Sequence, residues 1–209
     1  MSLPAIRVFQ PQYLTAPRDF VSIGDLPIIL EIGAGKGMHA CLFAQQNPQK
    51  RLIAIERTRE KFQAMAKQHQ LLRCHNLTPV HADAIPWVVH ALYPQQVEEL
   101  FILYPNPEPL NAAQRWLNMP FFEYLLSRIK AGGRITLASN IAEYIAEAAQ
   151  QLENIWQLPY VCEPVVKTSA RTHFEVKYLQ RGELCQQLVI SKPIDYVTRF
   201  DRVLPRLGQ

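Results

Sequence analysis

The chain has 209 residues, enough for one domain with a sizeable core. Hydrophobic residues make up 48% of it, an ordinary share for a globular protein, and no apolar run approaches the roughly 20 residues that a membrane-spanning helix needs. Lysine and arginine outnumber aspartate and glutamate by 22 to 18, and the resulting net charge of +4 permits an anionic partner without demanding one.

The opening stretch MSLPAIRVFQPQYL has no charged leader followed by a long apolar block, so a secretory signal is not expected and the cytoplasm is the expected location. The four cysteines, Cys41, Cys74, Cys162 and Cys185, form no CxxC pair, and the six histidines include no HxxxH or HExxH spacing. No metal is therefore expected. Cys41 reads as a small core residue, and the histidines as ordinary surface or core residues.

In chain order, residues 1–26 show no clear period and are broken by Pro4, Pro11 and Pro17, which predicts an N-terminal arm. IILEIG, ending at a glycine, reads as a buried strand, and MHACLFAQQN as a short helix. RLIAIE is a second strand. Residues 58–75 carry the clearest helical period, with Thr58 as its N-cap. LTPVHADA predicts a strand, residues 86–93 a short helix and VEELFILYP another strand. Residues 111–130 read as a helix burying Phe121, Phe122, Leu125, Leu126 and Ile129; GGRITLASN is a strand, and residues 141–156 a helix. THFEVKYLQRGELCQQLVIS has two β-rich runs split by Arg-Gly, which predicts an antiparallel hairpin. Residues 192–209 form a basic tail with Lys192, Arg199, Arg202 and Arg206.

Alternating strands and helices with a terminal hairpin predict a three-layer α/β, Rossmann-like fold around a mostly parallel seven-stranded sheet. Residues 27–191 form its domain, flanked by the arm (1–26) and the tail (192–209). Ligands of such sheets bind beyond the carboxyl ends of the strands. The informative residues are thus Gly33, Gly35 and Gly37, then Glu56, Asp83, residues 104–109 and residues 139–140.

The three glycines make a tight strand-to-helix turn with a bare surface. Glu56 ends the next strand, where a carboxylate accepts hydrogen bonds from both ribose hydroxyls of an adenosine. The turn reads GxGxG, neither GxGxxG nor a phosphate-binding GK[ST]. Asp83, after the third strand, is placed to meet an adenine amino group. Together these favour S-adenosylmethionine over a nicotinamide dinucleotide.

On these residues the sequence resembles the class I S-adenosylmethionine-dependent methyltransferases, and within them the bacterial tRNA (guanine-N7)-methyltransferases. LEIGAGKG is similar to the family's cofactor loop, AIE to its ribose strand and HADA to its adenine segment. LYPNPEP is similar to its FPDPW-type motif, LASN to its AT-D segment and RTHFE to its T-x-F-E motif. The resemblance implies cofactor contacts from Glu31, Glu56, Asp83 and Asn106, with Asn106 at the catalytic position. It implies contacts to tRNA or its guanine from Asn140, Thr172, His173, Phe174 and Glu175. The family's aspartates are Asn106 and Asn140 here, its tryptophan is Glu108, and its basic cluster has become PLNAAQRW, where Arg115 alone keeps the charge. Weakened tRNA binding is expected, with Lys167, Arg171, Lys177, Arg181 and the basic tail as compensating cations. A methyltransferase of an amino group or small molecule, and a non-catalytic relative that binds cofactor or RNA, stay open as alternatives.

Overall fold

A computed structural model describes residues 7–18 and 20–207. Residues 1–6, Asp19 and residues 208–209, which include Pro4 of the expected arm and the end of the expected tail, lie outside the described residues. Three strands form from the short apolar runs β1 (Ile28–Ile32), β2 (Leu52–Glu56) and β3 (Leu77–His81). They alternate with helices α1 (Met38–Gln46), α2 (Arg59–Leu72) and α3 (Ala84–Ala91). The order continues through β4 (Val97–Leu103), α4 (Phe121–Arg128), β5 (Ile129–Ser139), α5 (Ala142–Gln151), β6 (Tyr160–Pro164), α6 (His173–Gln180) and β7 (Gln186–Ser191).

The seven-stranded sheet has the order β3-β2-β1-β4-β5-β7-β6. β1 to β5 are parallel, and β7 inserts antiparallel between β5 and β6. Side chains of a strand alternate between faces, and β1 divides accordingly. Ile28, Leu30 and Ile32 pack with residues of α3, α4 and α5, whereas Ile29 packs with Ala40, Cys41 and Met65 of α1 and α2. Both faces of the central strands are therefore covered, which is why these strands read as continuous apolar runs rather than alternating ones.

Two expectations are corrected. The terminal antiparallel pair exists, but its first strand is β6; the THFE stretch opens helix α6 instead. Thr172 is the N-cap, and its hydroxyl accepts from Glu175 N at 3.0 Å, the bond a T-x-x-E helix start provides. The helix expected over residues 111–130 shrinks to Phe121–Arg128, preceded by 3-10 turns at Ala112–Gln114 and Trp116–Asn118. Pro120 has no N–H to continue a helix from that side, and from Ile129 onward the chain pairs with β4.

The described parts of the arm and tail lie on the α3–α4 side. Phe9 packs edge-on against Phe121 at 5.2 Å, and Arg206 donates to the carbonyls of Gln12 and Leu14 at 2.9 and 2.7 Å. Buried Arg128 donates to the carbonyls of Leu92, Phe200 and Val203. Lys192, also buried, donates to those of Leu126 and Ile129. Arg199 forms an ion pair with fully buried Glu123. The basic character of the tail is thus largely spent on holding the chain's own ends.

Candidate active site: a cleft at the carboxyl ends of the strands

A cavity of about 870 Å³ opens where β1 and β4 diverge toward α1 and the segment after β4. Open parallel sheets bind ligands at this crossover point. Its floor is the glycine turn. Gly33 and Gly35 have φ of 76° and 59°, left-handed values that suit glycine, and a Cβ on either would meet nothing within 4 Å. Their bare surface faces the cavity. Gly37 does not line it: a Cβ there would lie 2.5 Å from Met65 Cγ, so this glycine lets α1 approach α2.

Glu56 is buried at the end of β2 with its carboxylate fixed by backbone. Gly35 N donates to Oε2 at 2.9 Å and Thr58 N donates to Oε1 at 2.7 Å. Thr58 is the N-cap residue of α2 and makes no side-chain cap; its backbone amide is the one that serves Glu56. Each carboxylate oxygen keeps a second lone pair for a ligand hydroxyl. Asp83 is exposed in the cleft and caps α3, accepting from Ile85 N at 2.9 Å.

Glu31 is buried in the same wall, and His39 Nδ1 lies 2.9 Å from its Oε2. The His39 ring meets Phe101 edge-on at 4.6 Å. This pair was missed from the sequence, where His39 looked like any other helical histidine. The available signal was its place in the first turn after the glycine loop.

The segment after β4 forms the opposite wall. Tyr104 takes a left-handed φ of 52°, and Asn106 is exposed to the cleft with Oδ1 facing Glu108 N at 3.4 Å. Arg115 is bound to Glu147 and donates to Pro107 O at 2.8 Å, so it fastens this segment to α5. Thr172, His173 and Phe174 close the cavity from α6, and Phe174 is 42% exposed.

Besides Gly37, two expected site residues stand apart. Asn140 follows β5 but donates to Glu183 Oε2 at 2.7 Å and does not line the cavity. Glu175 is fully buried and accepts from Tyr104 OH at 2.7 Å, from Ser169 Oγ and from the Arg171 side chain and amide. Burial alone would raise its pKa, but the bonds from Arg171, Ser169 and Tyr104 outweigh that and hold it below the usual carboxylate range. Burial, followed by the bond to Glu175, pushes the Tyr104 phenol far above its usual value. Tyr104 and Glu175 therefore act as a neutral donor and a charged acceptor that tie the wall after β4 to α6.

The fold and the cleft define a class, the three-layer α/β methyltransferases. The precorrin-6y C5,15-methyltransferase of Geobacter metallireducens superposes with a TM-score of 0.58 at 16% identity, covering 87% of this chain and 95% of that one. A SAM-dependent methyltransferase from Aquifex aeolicus gives 0.55 at 14% identity, covering 80% and 84%. Residues 25–188 match a family model described as "Putative methyltransferase", and the chain belongs to that family. Among its relatives, the tRNA (guanine-N(7)-)-methyltransferase of Nitrosospira multiformis is 31% identical over 160 residues, 75% of this chain and 69% of the relative. The protein of the same name from Rhodococcus jostii is 30% identical over 178 residues, 80% and 67%.

Proposed function

We infer that the chain is an S-adenosylmethionine-dependent methyltransferase acting on guanine N7 of tRNA. The observation that carries this reading is the convergence of the glycine turn, Glu56 and Asp83 on the same cavity as Asn106 and residues 172–174. The names of the relatives give the acceptor. The cleft suits the cofactor: a bare glycine turn for the flat ligand, the preset Glu56 carboxylate for the ribose hydroxyls, Asp83 for the adenine amino group and Glu31 for a cationic end. When bound, S-adenosylmethionine supplies an electrophilic methyl group on a sulfonium.

Guanine N7 carries a lone pair and needs no base to remove a proton, so the chain's task is orientation and charge stabilisation. Thr172 and Phe174 offer a hydroxyl and an apolar ring to the acceptor. Asn106 faces the reaction space with an amide where the resembled motif carries a carboxylate; it offers a dipole but no countercharge to the purinium that forms. Turnover slower than a carboxylate would support follows. A tRNA substrate supports a cytoplasmic location, and no helix among the described residues is long and apolar enough to cross a membrane.

A second reading is methylation of an amino group or small molecule. It is favoured by the segment after β4, where Leu110 is wholly exposed and residues 110–114 carry no charge. One experiment separates the two. The protein is incubated with methyl-labelled S-adenosylmethionine and tRNA from a strain lacking 7-methylguanosine, and the digested nucleosides are identified. Labelled 7-methylguanosine is expected, with Asn106→Asp raising the rate by about tenfold or more. Label in another base, or none while cofactor binds, overturns the assignment.

A further inference from the structure

We propose that the RNA backbone is gripped by four cations on one lip of the cleft, Lys36, Arg57, Lys61 and Lys177, rather than by the segment after β4. The inference rests on the tRNA reading above and locates its phosphate contacts. All four side chains line the cavity. Lys36 belongs to the glycine turn, Arg57 follows Glu56, Lys61 sits in the first turn of α2 and Lys177 in α6. Lys36, Arg57 and Lys177 are exposed and Lys61 is half-buried. Among the described residues none of the four takes part in a salt bridge.

Of the cations expected to compensate for the missing basic cluster, Lys177 is one of these four, Lys167 and Arg202 are exposed but do not line the cavity, and the others are engaged. Arg171 is bound to Glu175, Arg181 faces Glu183, Arg199 is bound to Glu123, and Lys192 and Arg206 serve backbone carbonyls. Arg115, the one charge left in the segment after β4, is bound to Glu147. What stays available around the cleft is the lip formed by the glycine turn, the start of α2 and α6.

The mouth is polarised across the sheet. Asp83, at the start of α3, and Glu108, after β4, line the other lip, while Glu31 and Glu56 sit deeper with oxygens engaged by His39 and by backbone amides. Glu60, next to Lys61 in sequence, does not line the cavity. The cationic lip also frames an aromatic surface. Lys61 Nζ stands 5.8 Å over the Phe174 ring, and that ring stacks on Tyr178 at 6.0 Å and 20°. Unpaired lysine and arginine beside an exposed ring suit a phosphodiester chain that delivers a base to the cleft.

The test measures tRNA binding by the full chain over a salt series. In Lys61→Gln/Lys177→Gln, which keeps two good helix formers in place, the slope of log K against log salt is expected to fall by about 2. Arg57→Gln, outside any helix, is expected to lower it by about 1. Arg202→Gln, exposed but away from the cleft, should leave the slope as it is. S-adenosylhomocysteine affinity by calorimetry should not change in any of them. Wild-type binding whose slope ignores the lip variants overturns the proposal while sparing the tRNA reading. Loosened S-adenosylhomocysteine with an unchanged slope also overturns it and assigns the lip to the cofactor. Absence of any tRNA binding by the wild-type chain at the lowest salt overturns both readings at once.

Discussion

At the scale of single residues, the cleft depends on carboxylates whose orientation is set before a ligand arrives. Glu56 is the clearest case, with each oxygen held by one backbone amide. Glu56→Gln keeps the size but replaces one acceptor with an NH₂ group, which then faces an amide N–H in a buried place. Leaving such a donor unsatisfied costs about 1–3 kcal/mol. The expected outcome is a weakening of S-adenosylhomocysteine binding by about tenfold or more, with a melting temperature lower by several degrees. Calorimetry and a thermal melt check both, and unchanged affinity would remove Glu56 from the ribose site. Glu56 was legible in the sequence because a strand end fixes the position of its side chain. Asn140 was placed by the same logic at the end of β5, yet its amide turns to Glu183. The sequence locates a backbone better than it aims a side chain with a charged neighbour. Glu31 and His39 show the converse, since a pair formed between a strand and the following helix leaves no local pattern to read.

At the scale of elements, the parallel half of the molecule was readable because β1, β2 and β4 are buried on both faces and stand out as apolar runs. The antiparallel end was not. β6 has mostly exposed side chains at the sheet edge, so it lacks any alternation of apolar and polar residues. The stretch 172–180 contains the β-favouring residues Phe174, Val176 and Tyr178, but the Thr172 cap and the Arg171–Glu175 pair win it for a helix. The glycine turn divides in the same manner between ligand and packing. Gly33→Ala meets open space and incurs only the left-handed backbone penalty, about 1 kcal/mol. Gly37→Ala adds a clash with Met65 at the α1–α2 contact, and the combined cost is expected to reach about 2–4 kcal/mol. Urea unfolding of the two variants decides: equal losses would show that Gly37 serves the turn alone.

At the scale of the whole molecule, Glu175 is the point where distant parts of the chain meet. Tyr104 brings the end of β4, Ser169 and Arg171 bring the loop after β6, and Arg171 in turn donates to Gln187 of β7 at 2.8 Å. The carboxylate is fully buried, and its folded pKa is depressed by these donors against the opposing effect of burial. A depressed carboxylate binds its proton less readily in the folded state than in the unfolded one. The stability it contributes is therefore complete above the unfolded value of about 4.3 and is lost as pH falls from there through the lower folded value. Unfolding free energy should be flat from pH 7 to about 5 as far as this group is concerned, then drop in acid. Glu175→Gln cannot titrate and leaves Arg171 without its countercharge. It should be less stable at pH 7 by about 3 kcal/mol and lose less than the parent between pH 5 and 3. Urea unfolding of parent and variant at those pH values checks both halves. A variant that matches the parent's acid loss would assign acid sensitivity to other carboxylates, such as Glu98, whose pKa Lys130 and Lys50 also lower. Because the same network anchors the wall that carries Asn106, the variant should lose methyl transfer at neutral pH as well, through a displaced segment after β4 rather than through lost contact with the acceptor.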